Sequence, residues 1–110
     1  MYNFNLIDGE DILQIFDDEY IKQGVNEKNT TIVLTNKRIL FMDYDKEDPN
    51  EILRIGRGVD YLRYKEVYYK VELANIKELI ENDLYKVILK NGVEFEFENE
   101  AILNIIKDNM

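Results

Sequence analysis

Apolar residues are densest in residues 30–44 (TTIVLTNKRILFMDY), where two apolar runs flank a polar stretch. Residues 35–38, between the runs, favour a turn because asparagine tolerates left-handed backbone angles. The segment therefore predicts a β-hairpin. Its arms are apolar on both faces, so we expect one face to pack on the core and the other to be covered by a helix, another sheet or another subunit.

Alternation of apolar and polar residues predicts a half-buried strand over residues 65–73. Residues 76–80 predict a weaker strand, and a turn at Asn82-Asp83 leads into a strand at residues 84–90. In the first of these strands, one face is expected to carry Val67, Tyr69, Val71 and Leu73, and the other Glu66, Tyr68, Lys70 and Glu72.

The last predicted hairpin turns at residues 90–92. A two-residue turn at Asn91-Gly92 would place Leu89 opposite Glu94 and mix an apolar face with an acidic one. A three-residue loop avoids this conflict, with Gly92 supplying a left-handed bulge residue. The resulting register pairs Leu89 with Val93, Val87 with Phe95 and Tyr85 with Phe97 on one face, and Lys86 with Glu96 on the other.

Helical spacing replaces alternation after Asn99, which is predicted to cap a helix whose positive end suits Glu100. The helix is expected to run for about twelve residues and to gain its stability by packing on the sheet. Its apolar stripe consists of Ile102, Leu103, Ile105, Ile106 and Met110.

The beginning of the chain is ambiguous. Ile12, Phe16 and Tyr20 fit one face of a helix, but residues 12–16 fit a first strand equally well. The pattern leaves residues 12–20 open between helix and strand.

Two short motifs resemble the bacterial pleckstrin-homology (PH) and related GRAM-like families. Residues 34–40 (LTNKRIL) resemble the TNKR hairpin of those domains, and Gly9-Glu10 followed by Ile12-Leu13 resembles their GE-x-I-L entry to the first strand. The resemblance implies a mainly β (α+β) fold, a PH-like partly open barrel of two antiparallel sheets with one C-terminal α-helix. It also implies a binding or scaffolding role, and some bacterial relatives assemble into oligomers. Fold alone does not determine function.

The length of 110 residues predicts a single PH-like domain, residues 1–110. The relatives usually pass from the hairpin to the next strand by a short turn, whereas here an insertion at about residues 45–64 intervenes. Ile52, Leu53 and Ile55 give this insertion apolar groups to bury. Long insertions on compact scaffolds are usually functional or disordered, so we expect the specificity of this member to lie here.

Four residue types are absent from the chain: histidine, cysteine, serine and tryptophan. Their absence removes the usual general base near neutral pH and the common activated nucleophiles, so we predict no enzyme, no catalytic residue and no cofactor. It also excludes disulfides and thiolate metal ligands. No basic and apolar leader and no run of about 18 apolar residues occurs, which predicts a cytoplasmic location.

Charge is large and unevenly distributed. The formal net charge of −9 repels polyanions, so nucleic acid is not an expected partner and membrane contact is disfavoured. Residues 8–19 hold six acidic residues and no basic one, whereas residues 54–70 hold five of the 14 basic residues. Residues 54–70 are therefore a basic segment within a chain that is acidic as a whole.

The candidate binding residues lie in and beside the insertion: Arg54, Arg57, Tyr61, Arg63, Tyr64 and Lys65. Arginine binds carboxylate and phosphate bidentately, and the glycines at 56 and 58 allow close backbone approach to an anion. The alternative is that these cations pair with carboxylates of the same chain or of another subunit. Tyrosines beside arginines are enriched at protein interfaces, but they equally fit a role in covering the insertion.

Two acidic groups invite other interpretations. Asp43, Asp45 and neighbouring carboxylates resemble a calcium loop, but Asp48 and Arg54 stand where an EF-hand needs glycine and glutamate, so we predict an acidic turn and no metal site. Glu94, Glu96 and Glu98 predict an acidic, solvent-facing strand face.

These observations lead to one hypothesis and one alternative. The hypothesis is a non-enzymatic protein-interaction or self-assembly module whose partner is another protein or a second copy of the chain, giving a homo-oligomer. The alternative is a binding domain for an anionic small ligand or lipid headgroup, recognised through the basic insertion.

Overall fold

The computed structural model describes residues 4–44 and 65–110. Within these residues the chain forms strands, one 3-10 turn and one helix. The elements are β1 (Ile12–Gln23), β2 (Asn26–Thr35), β3 (Arg38–Tyr44), β4 (Lys65–Glu72), the 3-10 turn (Leu73–Asn75), β5 (Ile76–Glu81), β6 (Tyr85–Leu89), β7 (Glu94–Phe97) and α1 (Glu100–Asp108).

The described strands form one antiparallel sheet in the order β4-β3-β2-β1-β7-β6-β5. Strand β1 joins two meanders, because it pairs with β2 along most of its length and with β7 through Ile21–Phe97 and Lys22–Glu96. In this part of the chain β4 and β5 are the edges, and the sheet is not closed into a barrel. The prediction of a mainly β fold with one C-terminal helix is confirmed.

The residues that the pattern left open, 12–20, belong to strand β1. The pairing of β1 with β2 shifts between Phe16 and Glu19, where Asp18 has a φ of 56°. Phe16 and Ile21 both reach the core although an odd number of positions separates them. An extra residue at a β-bulge breaks the two-residue period of a strand, which is why periodicity did not identify β1.

The β2–β3 hairpin buries apolar side chains on both faces of the sheet, as its sequence predicts. Ile32 and Phe41 belong to the main core, on the side covered by α1, whereas Val33, Leu40 and Met42 form a second cluster on the opposite face. Among the described residues, the main core consists of Phe16, Ile21, Ile32, Leu34, Ile39, Phe41, Val71, Leu73, Ile76, Val87, Leu89, Phe95, Phe97, Ile102, Leu103 and Ile106.

Strand β4 departs from the predicted alternation. Phe41 and Met42 of β3 pair with Tyr69 and Val67 of β4, so Tyr68 is an extra residue between them. Val67 consequently packs in the second cluster, while Tyr69 packs against the main core. The prediction that Val67 and Tyr69 share a face is wrong, because the bulge reverses the direction of the side chains that precede it.

The β6–β7 hairpin has the predicted register. Tyr85 pairs with Phe97, Lys86 with Glu96 and Val87 with Phe95, and the N–H of Leu89 donates to the carbonyl of Val93 at 2.9 Å. The loop is closed by Gly92, whose N–H donates to the carbonyl of Leu89 at 2.9 Å and whose φ is 89°. The weaker strand predicted at residues 76–80 is also present, as β5.

Helix α1 begins at the predicted cap, since the side chain of Asn99 accepts a hydrogen bond from the N–H of Ala101 at 2.9 Å. Ile102, Leu103 and Ile106 are buried. The helix ends at Asp108, so Met110 lies beyond the helix and is 60% exposed, and its predicted place in the buried stripe is wrong. No helix of the described residues is long and apolar enough to cross a membrane.

Candidate functional site

The predicted insertion begins and ends at one point of the sheet. Tyr44, the last residue of β3, pairs with Lys65, the first residue of β4. Residues 45–64 therefore leave and re-enter the sheet at the end of a single ladder. Lys65 is the one predicted binding residue that falls among the described residues; those that lie outside them are Arg54, Arg57, Tyr61, Arg63 and Tyr64.

Lys65 is buried by contacts within the protein. Its ammonium donates a hydrogen bond to Thr31 Oγ1 at 2.5 Å and lies 3.5 Å from Asp17 Oδ1, and its side chain is 7% exposed. The hydroxyl of Thr31 in turn donates to the same oxygen of Asp17 at 3.0 Å. The ammonium therefore fixes the start of β4 to β1 and β2, while its predicted role toward an external anion stays a prediction.

Local backbone geometry places Asp17 beside Lys65. The bulge of β1 covers residues 17 and 18, and aspartate is one of the residues that tolerates the positive φ found at Asp18. Asp18 is held by the side-chain amide of Asn29, which donates to its Oδ1 at 3.2 Å. Asp17 is thereby directed at Thr31 and Lys65 on the face opposite α1.

A second cation lies near this group. The ammonium of Lys28 is 3.0 Å from Asp43 Oδ2 and 3.8 Å from the ring centroid of Tyr68. Partial burial acts to lower the pKa of Lys28, but the hydrogen bond to Asp43 and the nearby Tyr68 outweigh it, and the pKa is raised. Tyr68 is itself anchored, because its hydroxyl donates to Thr30 Oγ1 at 3.0 Å.

These polar side chains surround a cavity of about 160 Å³, lined by Asp17, Asp18, Asn29, Thr30, Thr31, Asp43 and Lys65. This volume is below the 300 to 1,000 Å³ that is typical of ligand pockets. Within the described ranges no group of three or more histidine, cysteine or carboxylate side chains is arranged to hold a metal ion. Of the acidic turn predicted near the end of β3, Asp43 is described, and it forms the ion pair with Lys28.

A larger cavity of about 650 Å³ lies beside β4, with Leu40, Val67 and Lys70 among its lining residues. Tyr68 also lines it, and its side chain is 45% exposed. The sequence places Tyr68 and Lys70 together on a solvent face. Tyr68 and Lys70 both line this cavity. Because of the bulge, the centroid of the Tyr68 ring also lies 6.4 Å from that of the Phe41 ring.

The opposite end of the β3–β4 ladder holds a buried ion pair that the sequence does not reveal. The guanidinium of Arg38 donates to both oxygens of Glu10, at 2.8 and 2.7 Å. The hydroxyl of Thr35 and the N–H of Ile7 also donate to this carboxylate, at 2.6 and 3.0 Å. The hydrogen bond from Arg38 lowers the pKa of Glu10 to about 2 despite burial, and the same pair raises the pKa of Arg38.

The remaining residues of the two motifs join the same network. Asn36 donates to the carbonyl of Gly9 at 2.9 Å and accepts from the N–H of Asp11 at 2.8 Å. Asp18 is the one non-glycine residue of the described ranges with a positive φ, so Asn36 acts through its side chain and not through the predicted left-handed backbone. The motifs that carry the PH resemblance therefore form one contact between the chain before β1 and the β2–β3 turn.

Comparison of the chain with protein-family models, with curated proteins and with solved structures gives no match.

Proposed function

We propose that this chain is a non-enzymatic interaction or self-assembly module with a PH-like fold. Two antiparallel meanders that share β1, followed by one C-terminal helix, support this proposal. Contact between the GE and TNKR motifs through Glu10 and Arg38 supports treating them as parts of a single structural feature.

The observation that carries the proposal is the pairing of Tyr44 with Lys65 at the base of the insertion. The β3–β4 ladder extends to this pair, so residues 45–64 connect two strand ends that are already neighbours in the sheet. Lys65 directly follows residues 45–64, and its contacts with Thr31 and Asp17 fix the position at which the chain re-enters the sheet. A long segment on a rigid scaffold is a common arrangement for a binding loop.

In this proposal the partner, a protein or a second copy of the chain, contacts Arg54, Arg57, Tyr61, Arg63 and Tyr64. Two acidic residues of the segment 8–19 already have partners within the chain: Glu10 is buried against Arg38, and Asp17 contacts Thr31. Fewer carboxylates of this segment are therefore available to bind a second copy. Glu94 and Glu98 are exposed and offer a second acidic surface for another copy. Complementary charges of this kind mainly set encounter rate and register.

The test replaces Arg54, Arg57 and Arg63 together by glutamine. We expect the variant to lose association, measured as solution mass by light scattering, while its thermal unfolding stays close to that of the parent. Partly screened ion pairs contribute little singly, so the single variants should show small effects, and raising salt should weaken the parent's association.

A matched control removes the same number of positive charges from elements at the other side of the sheet from β4. Lys77, Lys90 and Lys107 lie on or beside β5, β6 and α1, and their triple replacement by glutamine should leave the solution mass unchanged. Identical solution mass and partner binding in the arginine variant and the parent would contradict the proposal.

The alternative ligand is an anionic small molecule or lipid headgroup, favoured by the five basic residues among residues 54–70. Sedimentation with anionic and with neutral vesicles separates it from protein association. Headgroup binding requires sedimentation with anionic vesicles that weakens as salt rises and is lost in the arginine triple variant.

A further inference from the structure

A cavity of about 570 Å³ opens where Arg38 pairs with Glu72, at the end of the β3–β4 ladder away from the insertion. The 3-10 turn, the β2–β3 turn and the residues that follow α1 surround it. Its origin is topological. Within the described residues β4 and β5 are the two edges of the sheet, so the chain passes from one meander to the other here without a ladder to close the gap.

Apolar side chains provide much of the surface of this cavity. Leu73 and Ile76 are buried at its base, at 7% and 5% exposure. Ile7 and Met110 flank it and are 49% and 60% exposed. Large apolar side chains left exposed around a concave surface are typical of a ligand site, and methionine adapts its shape to different ligands.

One cation is held in position at the rim. The ammonium of Lys37 donates to the carbonyl of Asp8 at 2.7 Å. It also lies where a side chain on Gly9 would intrude, since a Cβ there would be 3.3 Å from Lys37 Nζ. An ammonium has three N–H donors, and the contact with Asp8 occupies one of them.

The other charges at the rim limit the charge of a ligand. Arg38 is already neutralised by Glu10, and Glu72, which lines the same cavity as Lys37, adds a negative charge. A phosphate monoester carries nearly two negative charges at neutral pH, so Glu72 repels it more strongly than a single carboxylate, for which one cation is enough. The apolar floor in turn suits an aliphatic chain.

We propose that this cavity binds a small amphiphile with one carboxylate and an aliphatic chain, of the medium-chain fatty acid class. The carboxylate of the ligand contacts Lys37, and its aliphatic chain lies over Leu73 and Ile76 between Ile7 and Met110. This proposal does not rest on the function proposed above: the cavity lies at the Arg38 end of β3, and the seven residues of that strand place it roughly 20 Å from the Tyr44–Lys65 pair.

The test is calorimetric titration with decanoate and decanol below their aggregation and solubility limits. We expect decanoate to bind with a stoichiometry of one and decanol more weakly. Lys37→Gln should weaken decanoate about two- to fivefold, as expected for a partly exposed ion pair, and should leave decanol binding unchanged. Lys77→Gln, a change of the same charge on β5, should leave both unchanged.

A second variant tests where the aliphatic chain of the ligand binds. Ala74 is exposed in the 3-10 turn and lines the cavity, so Ala74→Trp should fill it and abolish binding of both compounds. Independently of any variant, decanoate should shift the backbone amide resonances of Leu73, Ile76 and Met110 in the parent. Absence of decanoate binding, equal binding by the Lys37 variant and the parent, or resonance shifts confined to another region would each overturn the proposal.

Discussion

At the scale of single residues, Glu10 is a carboxylate whose side chain is 0% exposed and which accepts four hydrogen bonds. Burial of a charge is costly, and here a bidentate arginine compensates for it. Removal of one partner would leave the other charge buried alone, which typically costs about 3 to 5 kcal/mol. The sequence shows both motifs but not their contact, because Glu10 and Arg38 are 28 positions apart and no local pattern links them.

The stability of the protein should therefore depend on Glu10 at acidic pH. The pKa of Glu10 is lowered from 4.5 to about 2, so the stabilisation is present above about pH 4.5 and is lost as pH falls toward 2. A change of this size corresponds to about 3 kcal/mol. Urea unfolding at several pH values should show that Glu10→Gln destabilises the protein at pH 7 and that its difference from the parent shrinks below about pH 4.

A nearby exposed carboxylate provides the control for this measurement. Glu72 pairs with Arg38 across the β3–β4 ladder but is exposed. Glu72→Gln should change stability by less than about 1 kcal/mol at any pH, as is usual for exposed ion pairs. A difference between the Glu10 variant and the parent that stays constant from pH 7 to pH 3 would show that the buried pair does not control acid stability.

At the scale of elements, the sequence predicted register and side-chain directions where the period is unbroken, and it located β5 but not the bulge that this strand contains. The β6–β7 register follows from pairing apolar with apolar residues, and α1 follows from its stripe and its Asn99 cap. Strands β1 and β4 were predicted incompletely because each contains a bulge. The extra residue is Tyr68 in β4, whose residue type carries no bulge signal, whereas Asp18 in β1 offered a weak one because aspartate tolerates positive φ.

The last hairpin supplies the prediction at this scale. Gly92 has a φ of 89°, and apart from its chain neighbours no atom lies within 4 Å of the place that a Cβ would take, so a larger residue meets conformational strain without a clash. Gly92→Val should destabilise the protein by about 1 to 3 kcal/mol in denaturant unfolding. Gly92→Asn should cost less, because asparagine tolerates positive φ better than valine. A loss below about half of 1 kcal/mol for valine would mean that the bulged loop does not constrain this residue.

At the scale of the whole molecule, the sheet formed by the described residues has β4 and β5 as its edge strands, and both carry features that oppose edge pairing. Tyr68 is the extra residue of a bulge in β4, and Lys77 is the extra residue of a bulge in β5. Bulges and lysines on edge strands prevent sheets from joining edge to edge. The self-assembly that we propose would therefore use the charged insertion and not continuous sheet pairing. The sequence could not give this result, because which strands are edges depends on the pairing order of the complete sheet.

The same architecture predicts that the fold survives without most of the insertion. Paired residues of an antiparallel ladder have Cα atoms about 5 Å apart, so Tyr44 and Lys65 can be joined by a short connection, and closing a shorter loop changes the entropy little. Replacement of residues 49–60 by a short glycine linker should leave a cooperative thermal transition near that of the parent.

The second cluster determines how this experiment could fail. Val33, Leu40 and Met42 are fully buried on the face opposite α1, and any loss of their cover would expose apolar surface. A shortened chain that binds a hydrophobic dye and melts without cooperativity would show that Ile52, Leu53 and Ile55 are part of the central structure. A cooperative, dye-free product that no longer associates would instead separate the two roles, with the sheet supplying stability and the insertion supplying recognition.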